Sequence, residues 1–422
     1  MLYKRRLSAY VVYLIFSGGF ALFFALCVTV NLVYQVEVAH LNPLQLVLVG
    51  TALETITFIA QVPTGLLADV YSRRLSVILG TFIIGAGFIL EGSIPRFETI
   101  VLAQSLFGIG ATFVDGAEQA WIADEVGEEH VGPIFMRSTQ IGLIGGLIGA
   151  VLSAGLASIR LNFPLIVGGS LYVVLAVFLL LYMPENDFRP TPRQERQTWQ
   201  AMIGTFRTGI RFVRQSSILL ILLFIELFFG LSSEGYDRLS TAHFLADFTF
   251  PTFWQLKPVA WFGIFSVAGT LLSLAVTELI RRRFDVNNQR VAITALFLMS
   301  ALQVACVLVF ALIGHFFIAA AAYLVYGVFR STGRPFWTTW ITQSTDPKVR
   351  ATIFSMIGQV DALGQIAGGP PVGYIGTVFS LRAALVAVSV ILSPVLLLFA
   401  YAARKVEKHT RRKVSEVYDD TI

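Results

Sequence analysis

Asp115 and Glu118 stand three residues apart in the stretch Gly108 to Asp124, inside an apolar segment long enough to cross a bilayer. A charged side chain at the centre of a membrane helix costs about 2.5–3.5 kcal/mol on insertion scales, so such a pair points to function by default. Arg330 and Arg334, four apart, lie in another apolar segment, and Glu54, Glu226 and Asp361 are further acids within others. Acids withdrawn from water can take up protons or hold cations, because burial disfavours their charged form; guanidinium groups hold anions or neutralise acids. The same residues can also serve a plainer purpose, as ion pairs or polar contacts that join two helices. For Glu54 and for the Asp115–Glu118 pair the sequence leaves both uses open.

The elements that must carry these groups follow from composition. Of 422 residues, 56% are apolar, 13% aromatic and 14% charged, against about 25% charged in ordinary soluble domains. Twelve apolar runs of bilayer-spanning length fall near 8–30, 44–67, 75–93, 98–121, 138–159, 163–183, 217–237, 259–280, 291–313, 315–337, 353–375 and 380–402. The net charge of +5 is spread over the connections between runs, which speaks for membrane orientation and against nucleic acid. With the N-terminus in the cytoplasm, twenty-four Lys and Arg fall on that side and five on the other, so both termini are predicted cytoplasmic. The expected location is the cell (inner) membrane. Lys4-Arg5-Arg6 before the first run resembles a signal peptide, but the run is long and no small-residue cleavage pattern follows, so it reads as a retained helix.

Cys27 and Cys306 are far apart inside apolar runs, and the five histidines show no metal-ligand spacing. No nucleotide loop, nucleophile elbow or metalloprotease signature occurs. An enzyme is not indicated, and neither metal nor organic cofactor is expected.

Shifting the chain by 219 residues lays the fourth run on the tenth and the fifth on the eleventh without a gap. Gly108, Trp121, Ile122, Ile134, Phe135, Gln140, Gly145 and Gly149 then meet identical residues at 327, 340, 341, 353, 354, 359, 364 and 368. The halves are parallel repeats, a feature of many transporters. In this register Asp115 falls on Arg334, and Arg330 lies one turn from Arg334. Buried opposite charges favour pairing, so Asp115 and Glu118 are expected to pair with Arg330, Arg334 or nearby groups, either exchanging partners between conformations or as a permanent structural pair. The domain boundaries predicted are 1–183 for an N-terminal six-helix bundle, 184–216 for a cytoplasmic linker, 217–403 for a C-terminal bundle and 404–422 for a basic cytoplasmic tail. Arg207, Arg211 and Arg214 beside Ile203, Phe206 and Ile210 predict an amphipathic helix in the linker, lying on the inner leaflet.

Between the second and third runs stands Gly65-Leu66-Leu67-Ala68-Asp69-Val70-Tyr71-Ser72-Arg73-Arg74. It resembles the signature of the major facilitator superfamily, whose pattern is Gly, three residues, Asp, a basic residue, any residue, Gly, Arg, and Arg or Lys. Gly65, Asp69, Arg73 and Arg74 match, while Val70 and Ser72 depart. With twelve spans and a long central connection, the resemblance covers essentially the whole chain. It implies an all-α integral membrane fold of twelve helices in two pseudo-symmetric six-helix bundles, working by alternating access. It also implies that Gly65, Asp69, Arg73 and Arg74 form a cytoplasmic conformational latch, and that the seventh helix breaks near Ser232–Arg238. Superfamily antiporters carry an arginine where Gln104 stands, and a proline in the fifth-helix glycine run; Gly142, Gly145, Gly146, Gly149 and Gly155 here have none. Packing is the expected use of that stripe.

The function implied is secondary active transport, resembling bacterial drug-efflux members: proton-driven export of small amphipathic compounds, neutral or cationic. The proton is then the coupling ion, and the partners are a small-molecule substrate and the lipid bilayer, with the protein a monomer. The candidate proton or substrate residues are Glu54, Asp115, Glu118, Glu226, Arg330, Arg334 and Asp361. The alternative is uptake or exchange of a polar or anionic metabolite anchored by Arg330 and Arg334; a non-transporting receptor or a lipid-moving protein on the same fold is a third.

Overall fold

A computed structural model of the protein describes residues 7–188, 190, 204, 207, 216–251, 256–285, 288–347 and 349–405. Apart from Gly204 and Arg207, the predicted amphipathic linker helix lies outside these residues, as does most of the basic tail. Every regular element among the described residues is an α-helix, as expected of backbone that must satisfy its own N–H and C=O groups in hydrocarbon.

In the first half the helices are α1 (Ala9–Glu37), α2 (Pro43–Val70), α3 (Arg73–Ser93), α4 (Phe97–Val114), α5 (Ala117–Val126), α6 (Val131–Ile159) and α7 (Phe163–Tyr182). In the second they are α8 (Ser217–Asp247), α9 (Pro258–Arg283), α10 (Gln289–Leu312), α11 (Phe316–Ser344), α12 (Arg350–Val378) and α13 (Leu381–Leu392), whose path continues to Lys405. Eleven membrane-crossing candidates stand out by length and apolarity, α4 and α5 counting as one. The remaining long helix, α12, is diluted by glycines, two prolines and Asp361. All twelve predicted runs are therefore helical.

Local sequence explains the starts. Asn42 and Gln45 form a reciprocal capping box ahead of Pro43, which sits at the first helical position of α2. Ser72, where the family pattern has glycine, caps α3 by accepting from Leu75 N at 2.9 Å.

Two expectations are corrected. The fourth run is not one continuous helix: α4 ends at Val114, Asp115 is its C-cap, and Gly116 adopts φ 75° and ψ −35° before α5 begins. Asp115 and Glu118 therefore flank a break instead of sharing a helical turn. Positive φ is open to glycine at little cost. The residue 219 positions later is Pro335, which α11 carries inside a continuous helix. The seventh run, in turn, does not break near 232–238, since α8 runs unbroken from Ser217 to Asp247.

The chain forms two compact units, residues 1–203 with 250–267, and 204–249 with 268–422. Four packings recur in both. In the first, α1 packs on α6 and α7, and α3 on α4 and α7; in the second, α8 packs on α12 and α13, and α10 on α11 and α13. The glycine stripe is used for close packing at Gly145 and Gly149, whereas a Cβ on Gly146 or Gly155 would meet nothing within 4 Å. A Cβ on Gly145 would come within 2.6 Å of the Gly18 carbonyl of α1, and one on its repeat partner Gly364 within 2.8 Å of the Leu227 carbonyl of α8. Trp121 and Trp340, another repeat pair, are 2% and 0% exposed.

Candidate functional site

Each unit contains a pocket built from its own first and fourth spans. The pocket of the first unit, about 580 Å³, lies between α1, α4, α5 and α6. Tyr13, Phe16, Phe20, Phe107 and Phe135 give it aromatic walls, and Asp115, Glu118 and Gln119 line it as well. Asp115 is exposed there because it caps α4 at the break, whereas Glu118 in the first turn of α5 is half-buried. The Tyr13 hydroxyl and the Gln119 amide lie beside the Glu118 carboxyl. Glu118 Oε2 is nevertheless buried without a hydrogen bond among the described residues. A carboxylate oxygen so placed offers a bond to a proton, a cation or a donor group of a solute.

The pocket of the second unit, about 160 Å³, lies between α8, α10, α11 and α12. Glu226, Arg330, Arg334 and Asp361 all line it, beside Tyr326 and Trp337. The two pockets occupy equivalent places in the repeat. Phe107, Ala111, Val114, Asp115 and Glu118 of one correspond at the 219-residue shift to Tyr326, Arg330, Gly333, Arg334 and Trp337 of the other. One inherited cavity has thus been furnished with acids in the first half and with mixed charge in the second.

The charges of the second pocket have partners close at hand. Arg330 donates to Asp237 Oδ1 of α8 at 2.5 Å, and Asp361 Oδ2 accepts from Gln365 Nε2 at 2.9 Å. Glu226 lies within electrostatic reach of Asp361 and Arg334, with the Trp337 indole beside it. Glu234 pairs with Arg238 at 2.9 Å, one turn along α8. Asp237, the other acid available to Arg238, serves Arg330 instead. Of the remaining candidate, Glu54 sits half-buried in the middle of α2 and lines neither pocket.

At the basic end of α3 the four latch residues separate into two groups. Arg73 pairs with Asp124 near the end of α5, and the same nitrogen donates to the Ala120 carbonyl at 2.9 Å. Arg74 donates to the Leu180 carbonyl at 2.7 Å, and its backbone N–H and the Ser72 hydroxyl both donate to Glu185, at 2.9 and 2.7 Å. Asp69 is half-buried at the end of α2, and the carboxylate that meets Arg73 is Asp124. A Cβ on Gly65 would meet nothing within 4 Å, so close helix approach within its unit is not what this glycine supplies.

Asp124, Glu185 and Glu91 are charged residues that no motif distinguishes. Asp124 and Glu185 each stand just past the end of a predicted run, a position that names no partner. Glu91 is a lone acid in the third apolar run. The fold buries it completely among Gln35, Gln104 and Tyr34.

Long apolar helices, paired six-span halves and pockets at repeat-equivalent places define a polytopic membrane transporter, not an enzyme. The model of the Major Facilitator Superfamily matches residues 9–369, and the chain belongs to that family. It is 24% identical over 362 residues to the uncharacterized MFS-type transporter YxaM of Bacillus subtilis (strain 168), covering 84% of this chain and 86% of that one. A shorter match, 25% over 116 residues, is to macrolide efflux protein A of Streptococcus pyogenes and covers 27% and 29% of the two chains. Among solved structures, the nucleoside transporter NupG superposes with a TM-score of 0.73 at 15% identity, covering 95% of this chain and all of its own. A bacterial homolog of the human lysosomal transporter Spinster, inward-facing and unoccupied, gives a TM-score of 0.70 at 14% identity, with 95% and 98% covered. At such identities these structures establish the fold alone.

Proposed function

We propose that the protein exports small amphipathic compounds, neutral or cationic, in exchange for protons, by alternating access across the cell membrane with both termini in the cytoplasm. The observation that carries this reading is the first unit's pocket, where Asp115 and Glu118 stand among five aromatic rings. Aromatic faces attract organic cations by about 0.5–1 kcal/mol at exposed sites and ~2 kcal/mol or more when desolvated. A carboxylate beside them supplies a counter-charge that a proton can replace. The same group then binds either cargo or proton, which is the minimal requirement of an exchanger. The short match to macrolide efflux protein A supports the direction, and the excess of basic residues on one side of the spans supports the orientation.

Counterflow in proteoliposomes, with a panel of cationic dyes and simultaneous pH recording, tests the proposal. Dye flux is expected to follow the pH gradient in the wild-type protein and to lose that dependence in Asp115→Asn or Glu118→Gln. Flux indifferent to both the gradient and these substitutions would overturn it.

A second reading is favoured by the other pocket. With Arg330 engaged by Asp237, Arg334 is left as the anchor for a carboxylate or phosphate group of a polar solute. Loss of anion transport in Arg334→Ala, with dye flux intact, would select this reading over the first.

A further inference from the structure

Glu91 lies in α3 two residues before that helix ends, and its side chain is 0% exposed. Both of its carboxyl oxygens meet side-chain amides. Gln35 Nε2 of α1 donates to Oε1 at 2.8 Å, and Gln104 Nε2 of α4 donates to Oε2 at 2.6 Å. Gln35 Nε2 also donates to Asn31 Oδ1, one turn earlier in α1, at 2.7 Å. The Tyr34 hydroxyl donates to the Glu91 backbone carbonyl at 2.7 Å, which fixes the height of α3 against α1. Gln35 is itself 0% exposed, and its Oε1 makes no hydrogen bond among the described residues. A buried acceptor left without a donor is costly, so this oxygen points to a proton donor that the site receives in another state.

We propose that this cage is a proton-binding site, in which Glu91 alternates between carboxylate and carboxylic acid. In the carboxylate state the amide N–H groups serve its oxygens, as observed. On protonation one oxygen becomes a donor and needs an acceptor. A half-turn of the Gln35 amide presents Oε1 to the new O–H, and a matching turn of Asn31 brings its Nδ2 to the same oxygen. A carboxamide carries acceptor and donors on one planar group, so the cage answers both states without moving a helix. Only a proton is bound or released; no other bond changes.

The surroundings suit this role. From α1 the titratable groups bearing on Glu91 are the Tyr34 hydroxyl and the buried Cys27 thiol. From α4 comes the Gln104 amide, and from α7 the cap residue Asn162, whose Nδ2 donates to the Gly92 carbonyl at 3.1 Å. The connection after α3, Ile94 to Arg96, is exposed and carries Arg96, with Glu98 following at the start of α4. The cage thus lies about one helical turn from the surface, at the end of the spans opposite the Arg73–Arg74 connection. A proton has a short way in from that side, through groups unrelated to the aromatic pocket.

The test uses the full chain in lipid with its glutamate carboxyls isotopically labelled, followed by infrared spectroscopy as pH is stepped; no transported solute is involved. The wild-type protein is expected to show a protonated-glutamic-acid carbonyl band that gives way to carboxylate bands as pH rises. Part of that change should vanish in Glu91→Gln, which keeps the shape and hydrogen-bonding capacity of the side chain. It should vanish equally in Gln104→Arg, because a guanidinium against the carboxyl holds it as the carboxylate. A pH-dependent glutamate band unchanged in folded Glu91→Gln overturns the proposal. If that variant does not fold, an unchanged band in Gln104→Arg overturns it equally, and a lost one supports it.

Discussion

Arg330 of α11 donates to Asp237 of α8 at 2.5 Å, and the two side chains remain 42% and 44% exposed. Arg330, which the repeat sets on Ala111, one turn from the Asp115–Arg334 position, therefore has a carboxylate inside its own half. Ion pairs this exposed contribute about 0–1 kcal/mol to stability, so the pair acts on the pocket's charge more than on folding. Asp237→Asn is expected to shift the unfolding temperature in detergent little, while strengthening binding of carboxylate solutes by releasing Arg330. Isothermal titration with a panel of small carboxylates, wild type against variant, measures the difference. A large loss of stability without any gain in anion binding would show the pair to be structural.

The break at Gly116 separates Asp115 from Glu118 and rests on a positive φ. A Cβ placed there would meet nothing within 4 Å, so the cost of Gly116→Ala is confined to the backbone, about 1–3 kcal/mol. The variant should melt lower by that amount and lose transport. A two-residue change that moves the glycine, Gly116→Ala with Ala117→Gly, should not restore either property. Full activity in the single variant would mean that α4 and α5 can join without consequence.

The glycine stripe of α6 offers an internal control. Gly145 faces the Gly18 carbonyl at a distance that no real side-chain carbon tolerates, whereas Gly146 has open space within 4 Å. Gly145→Ala should destabilise by about 1–3 kcal/mol through overpacking, and Gly146→Ala should be neutral or slightly stabilising. Gly364→Ala, against the Leu227 carbonyl in the second unit, should match Gly145→Ala. Thermal unfolding of the three variants in one detergent decides this, and equal melting of the first two would refute the packing role.

Arg73 joins α3 to α5 through Asp124 and the Ala120 carbonyl, with side-chain exposures of 17% and 27% for the ion pair. A hydrogen bond to a charged group at this depth is worth about 1.5–3 kcal/mol. Arg73→Ala should lose that much, Asp124→Asn less, because an amide oxygen still accepts from the guanidinium. Arg73→Lys should fall between wild type and alanine, since both contacts come from one guanidinium nitrogen and an ammonium has donors for both acceptors, on a shorter stem. Chemical denaturation of the variants in micelles ranks them, and an alanine variant as stable as wild type would argue against the double contact.

Twelve helical runs, their repeat at a shift of 219 and the membership of the chain in its family were all legible in the sequence. These features depend on apolar length, on local period and on residue identity at a fixed offset, each of which the chain carries along itself. Asp115, Glu118, Glu226, Arg330, Arg334 and Asp361 stood out as charges inside apolar runs, which have to face something other than lipid, but Glu54 did so equally and lines neither pocket, so the pocket walls themselves were not legible. The glycine stripe was readable too, because small residues at helical spacing have one main use between helices.

Pairing was decided by the tertiary structure alone. Arg73 meets Asp124 instead of Asp69, Arg330 meets Asp237 across 93 residues, and Glu91 meets Gln35 across 56. Such contacts depend on the rotation and height of one helix against another, which are set by the summed packing of many side chains and by no local pattern. The break at Gly116 falls between the two cases. Glycine permits it, yet the repeat partner Pro335 stays within a helix, so neighbouring helices choose where a permissive residue is used. What the chain is follows from its sequence, and which charge answers which follows only from how its helices lie together.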